Sequence, residues 1–306
     1  MTHSGKKVMV TGAGGFIGRR CLPLLAAAGY DIHAIAAHVR AEPAEAHVTW
    51  HTCDLLDPAA CAKTVATISP THLLHLAWIA TPGRFWSSAE NLRWLASGVV
   101  LIDEFYRCGG KRAIGVGTCA EYAWDAADND EDLSELKPDT IYGRCKLAMG
   151  IAFEAAAAVN GGSAAWARLF FPYGPGESPE RLIPAVIRGL LRNEPVKCTH
   201  GNQIRDFVFV DDVASALTAL LDSPAQGTFN VGSGTGISLR EIVAIITARL
   251  GNPELVTFGA RKSPVGDPAR VVADVSKLKR EVGWRPSIDI ATGIERTITW
   301  WRKGLS

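Results

Sequence analysis

The feature that most constrains this chain is the run Val8-Met-Val-Thr-Gly12-Ala-Gly14-Gly15-Phe-Ile-Gly18. An apolar strand passes straight into a glycine-rich turn, and the turn into an amphipathic helix. Small residues let backbone come close to a pyrophosphate, while the helix N-terminus offers unpaired N–H donors and a positive dipole end. Gly12, Gly14, Gly15, Phe16, Ile17 and Gly18 are therefore the expected phosphate-binding residues. The spacing G-x-x-G-x-x-G departs from the usual G-x-G-x-x-G fingerprint, so the inference rests on its place between a first strand and a first helix.

Short apolar runs then alternate with longer helical patterns. Strands are expected at Lys7–Thr11, Asp31–Ala36, 47–50, 71–76, 112–117 and 164–170. Helices are expected at 16–28, stopped by Gly29, and at Pro58–Ile68, 89–108 and 141–159. Such alternation implies right-handed βαβ crossovers and a parallel sheet covered on both faces, an α/β, Rossmann-like, doubly wound architecture. After Phe171 the residues Pro172, Gly174, Pro175, Gly176 and Pro179 break the rhythm. Residues 1–171 are thus expected to form a nucleotide-binding domain, with part of 205–250 packing back on it. Residues 172–306 should form mainly a smaller α/β substrate lobe, drawn chiefly from 172–204 and 253–275. The C-terminal helix bearing Trp300 and Trp301 is expected to return to the main sheet.

Bulk properties exclude several classes. Lys plus Arg number 32 against 31 Asp plus Glu, which suggests neither a nucleic-acid groove nor a membrane-binding surface. Seven scattered cysteines without a C-x-x-C suit a reduced protein better than a disulfide framework. No run of ~18 apolar residues and no secretory signal pattern is visible, so a soluble, cytoplasmic protein is expected. His47 and His51 share a face, but no glutamate follows His47 as a zinc-protease helix would require, and no metal site is expected.

Tyr142-Gly-Arg-Cys-Lys146 places a phenol and an amine at i and i+4 on one helical face. A phenol titrates near ~10, and a neighbouring ammonium favours its ionised form. Together with the glycine turn, this motif resembles the extended short-chain dehydrogenases/reductases, in particular their sugar-nucleotide epimerase, dehydratase and reductase branch. The string TGAGGFIG and the motifs that follow carry the resemblance over nearly the whole chain.

The resemblance implies further roles. Tyr142 would be the proton-transfer residue, and Lys146 would support it and bind the cofactor ribose. Thr118 would hydrogen-bond the reacting oxygen, and Asn91 would support a water relay to the lysine. Asp54, in CDLLD, resembles the adenine-contacting acid, with Leu55 beside it; Leu76, Ala77 and Phe171 would line the cofactor. Arg205, in RDFVFVDDV, and Arg270 resemble diphosphate-gripping arginines, and Arg181 stands where the nucleoside usually lies. Helices 89–108 and 141–159 resemble the family's paired interface helices, which implies a homodimer.

Cofactor and reaction follow from two departures. A carboxylate at the end of the second strand normally binds the ribose 2′-OH of NAD; here Ala36, Ala37, His38, Val39 and Arg40 stand instead, and His38 and Arg40 could meet a 2′-phosphate, which points to NADP, with NAD the alternative. Family dehydratases carry Asp-Glu directly after the hydroxyl residue, whereas this chain has Cys119-Ala120, which disfavours elimination; Glu121 is expected to point elsewhere. The expected activity is NADPH-dependent reduction of a nucleoside-diphosphate 4-keto-sugar. The alternatives are an NAD-dependent C4 epimerase of a nucleotide sugar and an idle NAD(P)-binding regulatory protein. Trp78, Trp86 and Trp94 flank the pocket-forming segment, where they could stack on a sugar or simply fill the core.

Overall fold

The computed structural model describes residues 5–38, 47–124, 128–264 and 266–305. Its first half alternates strand and helix as β1 (Lys7–Thr11), α1 (Gly18–Ala27), β2 (Asp31–Ala36), β3 (Val48–Thr52), α2 (Pro58–Ile68), β4 (His72–His75), α3 (Glu90–Arg107), β5 (Arg112–Thr118), α4 (Ile141–Asn160) and β6 (Ser163–Leu169). Beyond these come β7 (Phe171–Tyr173), α5 (Leu182–Leu191), β8 (Val196–Lys197), β9 (Ile204–Phe209), α6 (Val210–Asp222), β10 (Gly227–Val231), β11 (Gly236–Ser238), α7 (Leu239–Leu250), β12 (Val256–Thr257), β13 (Arg270–Val271), α8 (Ser276–Val282) and α9 (Ile290–Leu305).

Seven parallel strands form the main sheet in the order β10-β6-β5-β4-β1-β2-β3. One face is covered by α1 and α6, with Leu22, Leu25, Val213, Leu217 and Leu220 packed on Val8, Val10 and Ile114. The other is covered by α2, α3 and α4, whose Val65, Leu101, Phe105, Met149 and Phe153 meet Leu73, Ala113 and Trp166. This is the doubly wound sheet that unbroken apolar strands require, because neither face can be left to water. Each fully buried Leu or Phe contributes about 1.5–3 kcal/mol.

Local signals set the helix that matters most. Thr140 caps α4 by accepting from the Gly143 N–H, and Gly161 ends it in the left-handed conformation at φ 63°. The glycines of β5 serve a different purpose. A Cβ on Gly117 would lie 2.3 Å from Trp166 Nε1 and 2.4 Å from Glu121 Oε1, so the strand carries hydrogens where bulk is excluded.

In the second half, β11, β9 and β13 form a small sheet that β7 joins through β9. Helices α5, α7 and α9 close a core of Tyr173, Ile183, Ile187, Ile242, Ile246, Ile294 and Ile298. Two expectations meet different outcomes. Helix α6 and strand β10 do pack back on the main sheet. The C-terminal helix does not: Ile294, Ile298 and Trp301 of α9 join the smaller core, because its apolar face meets α5 and α7 rather than the sheet.

Candidate active site

The strand ends that face the glycine turn open on a cavity of about 440 Å³. Gly12, Gly15, Phe16, Ile17, Gly18, Leu76 and Ala77 line one end; Thr118, Tyr142, Lys146, Phe171, Arg181 and Arg205 line the rest. The glycine turn is tight. Gly12 has φ +66°, and a Cβ there would lie 2.9 Å from the Ala77 nitrogen, so β1 and the end of β4 can approach only without a side chain. Thr11 Oγ1 ties the two together. It accepts from the N–H groups of Leu76 and Ala77, both at 3.2 Å, and is 2.7 Å from His75 Nδ1. Burial pushes the His75 pKa down to about 3. The ring is therefore neutral, Thr11 donates to Nδ1, and the proton sits on Nε2. That histidine has no counterpart in the sequence-based expectations; it pins the cofactor end of the sheet.

Tyr142 and Lys146 project from the first turns of α4. The Lys146 ammonium is buried, donates to the Val116 carbonyl at 2.7 Å, and lies 4.0 Å from the centre of the Trp78 ring. Burial lowers its pKa to about 7, with Glu121 acting in the opposite sense. Burial raises the Tyr142 phenol, while a hydrogen bond with Thr118 and the charge of Arg181 draw it back. Thr118 also accepts from the Ala120 N–H at 3.2 Å.

Glu121 is fully buried and engaged. It accepts from Arg168 Nε at 2.7 Å, the Thr118 N–H at 2.9 Å and Trp166 Nε1 at 3.1 Å. It therefore fixes the backbone of Thr118 and has no access to substrate. Burial lifts the Cys119 thiol to about 12, so it is no nucleophile although it lines the cavity.

Other expected residues lie elsewhere. Asn91 is completely buried, but Oδ1 accepts from Trp78 Nε1 at 2.8 Å and Nδ2 donates to the carbonyls of Phe85 and Ser88. Its hydrogen-bonding capacity goes to Trp78 and the preceding loop rather than to Lys146. Gly14, His38 and Asp54 are outside the cavity lining, His38 and Asp54 being exposed. Leu55 is buried beside α3, its carbonyl accepting from the Ser97 hydroxyl. Arg270 pairs with Asp128 at 2.7 Å and does not line the cavity. Arg40 lies outside the described residues. Arg205 is in the cavity and salt-bridged to Asp267 at 2.6 Å; Arg181 is 3.6 Å from Glu177.

The lining also holds residues that sequence reasoning did not single out: Glu177, Asp267, Phe85 and Trp124. Glu177 Oε2 is buried without a hydrogen-bond partner, and burial raises the carboxyl pKa to about 8. Nothing in the local pattern Gly-Pro-Gly-Glu announces that burial.

A glycine cradle that a Cβ would fill, at one end of a cavity that ends on a Thr–Tyr–Lys set, fits a dinucleotide. Residues 8–232 match the model of the NAD dependent epimerase/dehydratase family. The chain belongs to that family. It is an NAD(P)-dependent, oxidoreductase-type enzyme of the extended short-chain dehydrogenase/reductase class. It is 29% identical to the dTDP-L-rhamnose 4-epimerase of Burkholderia thailandensis, over 97% of this chain and 95% of the relative. It is also 29% identical to the CDP-abequose synthase of Salmonella typhimurium, over 97% and 99%. Among solved structures, the UDP-glucose 4-epimerase of Thermus thermophilus, in complex with NAD, superposes with a TM-score of 0.85 at 25% identity, covering 97% of this chain and 99% of that one. Among the described residues no helix is long and apolar enough to cross a membrane.

Proposed function

We propose that the protein is a 4-epimerase of nucleoside-diphosphate sugars that works with NAD. The observation that carries this reading is the composition of the reacting end of the cavity. Thr118, Tyr142 and Lys146 are there, whereas the neighbouring acid Glu121 is bound to Arg168 and the positions after Thr118 are Cys119 and Ala120. Such a set can move one proton and orient one oxygen, and it has no acid directly after Thr118, where the family's dehydratases carry Asp-Glu. Oxidation of a hydroxyl followed by reduction from the other face requires nothing more.

In this reading Tyr142 takes the proton of the sugar hydroxyl, Thr118 orients that oxygen, and the Lys146 charge favours the phenolate. Bound NAD supplies the hydride acceptor, and Gly12, Gly15, Phe16, Ile17, Gly18, Leu76, Ala77, Lys146 and Phe171 would hold it. Arg205 would meet the substrate diphosphate, for which a guanidinium group is suited, and Arg181 the nucleoside. Residues 1–171, with α6 and β10, would bind the cofactor, and 172–306 mainly the substrate. Two copies would associate through α3 and α4.

Sequence alone favours one-way reduction with NADPH. The similarity to two 4-epimerases shifts the weight to epimerisation with NAD. The absence of an acid at the end of β2 keeps reduction as the second reading. The two separate in one experiment, in which purified protein is incubated with nucleotide sugars and no added nicotinamide. Catalytic appearance of the C4 epimer by NMR supports the proposal. Turnover only with a 4-keto-sugar and stoichiometric NADPH supports the reductase, and no reaction of either kind overturns both.

A further inference from the structure

The wall around the catalytic phenol is aromatic. Phe85 meets the Tyr142 ring edge-on at 4.8 Å, and Trp86 meets it at 5.5 Å and 84°. Phe85 and Trp86 are 4.5 Å apart, and Trp124 stands edge-on to Trp86 at 6.0 Å. All three line the same cavity as Tyr142, with Ile79, Ala80 and Pro82 on the same segment after β4.

The polar side chains of the cavity are mostly committed. Lys146 is bonded to the Val116 carbonyl, Arg205 to Asp267, and Arg181 faces Glu177. What remains in the cavity is the pair of hydroxyls on Thr118 and Tyr142, the unpartnered Glu177 Oε2 next to Arg181, and, on the aromatic wall itself, one indole N–H. Trp124 Nε1 is buried and has no hydrogen-bond partner. A sugar hydroxyl that leaves water without a partner costs about 1–3 kcal/mol. The reacting oxygen is met by Thr118 and Tyr142, and Trp124 can serve one further oxygen. A hydroxymethyl group pressed against Phe85 and Trp86 would be left unpaired, whereas a methyl group gains from the same contact.

Resting on the nucleotide-sugar reading above, we infer that the substrate is a 6-deoxyhexosyl nucleotide, whose C5 methyl packs on Phe85 and Trp86 while Trp124 Nε1 donates to a ring substituent. The C3 hydroxyl and the exocyclic carbon on C5 flank the reacting C4, and of the two it is the exocyclic carbon, as a methyl, that suits an apolar wall beside Tyr142.

The test uses pairs of nucleotide sugars that share base and stereochemistry and differ only at C6. Suitable pairs are D-fucose against D-galactose and 6-deoxy-D-glucose against D-glucose, each carried on UDP, dTDP and CDP. Binding to the NAD-loaded protein and kcat/KM are measured for every member. Preference for the deoxy partner by roughly tenfold to a hundredfold is expected, the range set by one methyl or hydroxyl in an apolar pocket. Trp86→Ala should reduce that ratio to within about threefold of unity, and Trp124→Phe should raise KM for both members with little change in the ratio. Parity or preference for the 6-hydroxy partner overturns this inference and leaves the epimerase reading intact. Binding of NAD with no binding or conversion of any sugar nucleotide overturns both.

Discussion

The Lys146 ammonium stands 4.0 Å over the Trp78 ring, and the indole is held there by Asn91, which accepts its N–H at 2.8 Å. Trp94 backs the same ring at 6.4 Å. The lysine thus faces a π-cloud in place of a carboxylate. A contact of this kind contributes about 1 kcal/mol when desolvated, enough to offset part of the burial that lowers the amine. Trp78→Leu should lower Lys146 further and move the alkaline limb of the kcat profile to lower pH by about half to one unit. Trp78→Phe should move it less. An identical profile for Trp78→Leu would show that the contact has no electrostatic role.

Thr118 has two tasks in the proposed reading, orienting the reacting sugar oxygen and capping the turn that carries Glu121. Thr118→Ser keeps a hydroxyl for both and should retain most activity. Thr118→Ala should lose about 10²-fold in kcat and also about 1 kcal/mol of stability through the lost cap. Kinetics and denaturant titration of the two variants separate the tasks. If Thr118→Ala keeps wild-type kcat, Thr118 does not take part in the reaction.

Glu177 should leave a pH signature in stability. Its carboxyl is raised from 4.5 to about 8 by burial. Between those values the folded state holds a proton that the unfolded state has released, so stability falls as pH rises through this window. Each pH unit in it is worth about 1.4 kcal/mol, so even half the full effect costs on the order of 2 kcal/mol at pH 8. Glu177→Gln should flatten the dependence and raise Tm near pH 8, as calorimetry would record. A variant with the same pH dependence as the parent would place that titration elsewhere.

The outer faces of α3 and α4 carry Leu92, Val99 and Ile151 with 56%, 43% and 61% of their surface exposed. Leu92 and Val99 are seven residues apart, so they share one face of α3. Covering this surface with a second copy is the expected outcome. Light scattering at micromolar concentration should report a dimer, and Ile151→Glu together with Leu92→Glu should shift it to monomer. A parent protein that is monomeric under these conditions rules the dimer out.

Much of the sheet was legible because buried parallel strands are unbroken apolar runs; the strand at 112–117 needed only Thr118 to become β5. The Tyr142 to Lys146 spacing was equally legible, since i and i+4 share a face whatever the tertiary fold. Contacts across distant segments were not. Asn91 suggested a relay, but the group its side-chain carbonyl accepts from, the Trp78 indole, sits 13 residues away in a loop whose path no periodicity encodes. Arg270 matched a motif, yet its salt bridge spans 142 residues to Asp128. The apolar stripe of α9 showed that the helix would be buried, while the core that receives it depends on where α5 and α7 lie.

The strand order has a consequence for synthesis. The strand that flanks β6 comes from residues 227–231, although β6 ends at Leu169. A nascent chain that has just released β6 therefore exposes an open edge of bare amides and carbonyls. At about 5–20 residues per second, that edge stays unmatched for on the order of several seconds before its neighbour emerges. Translation speed and chaperone supply over this stretch, more than any property of the finished enzyme, should govern how much of it is recovered intact from cells.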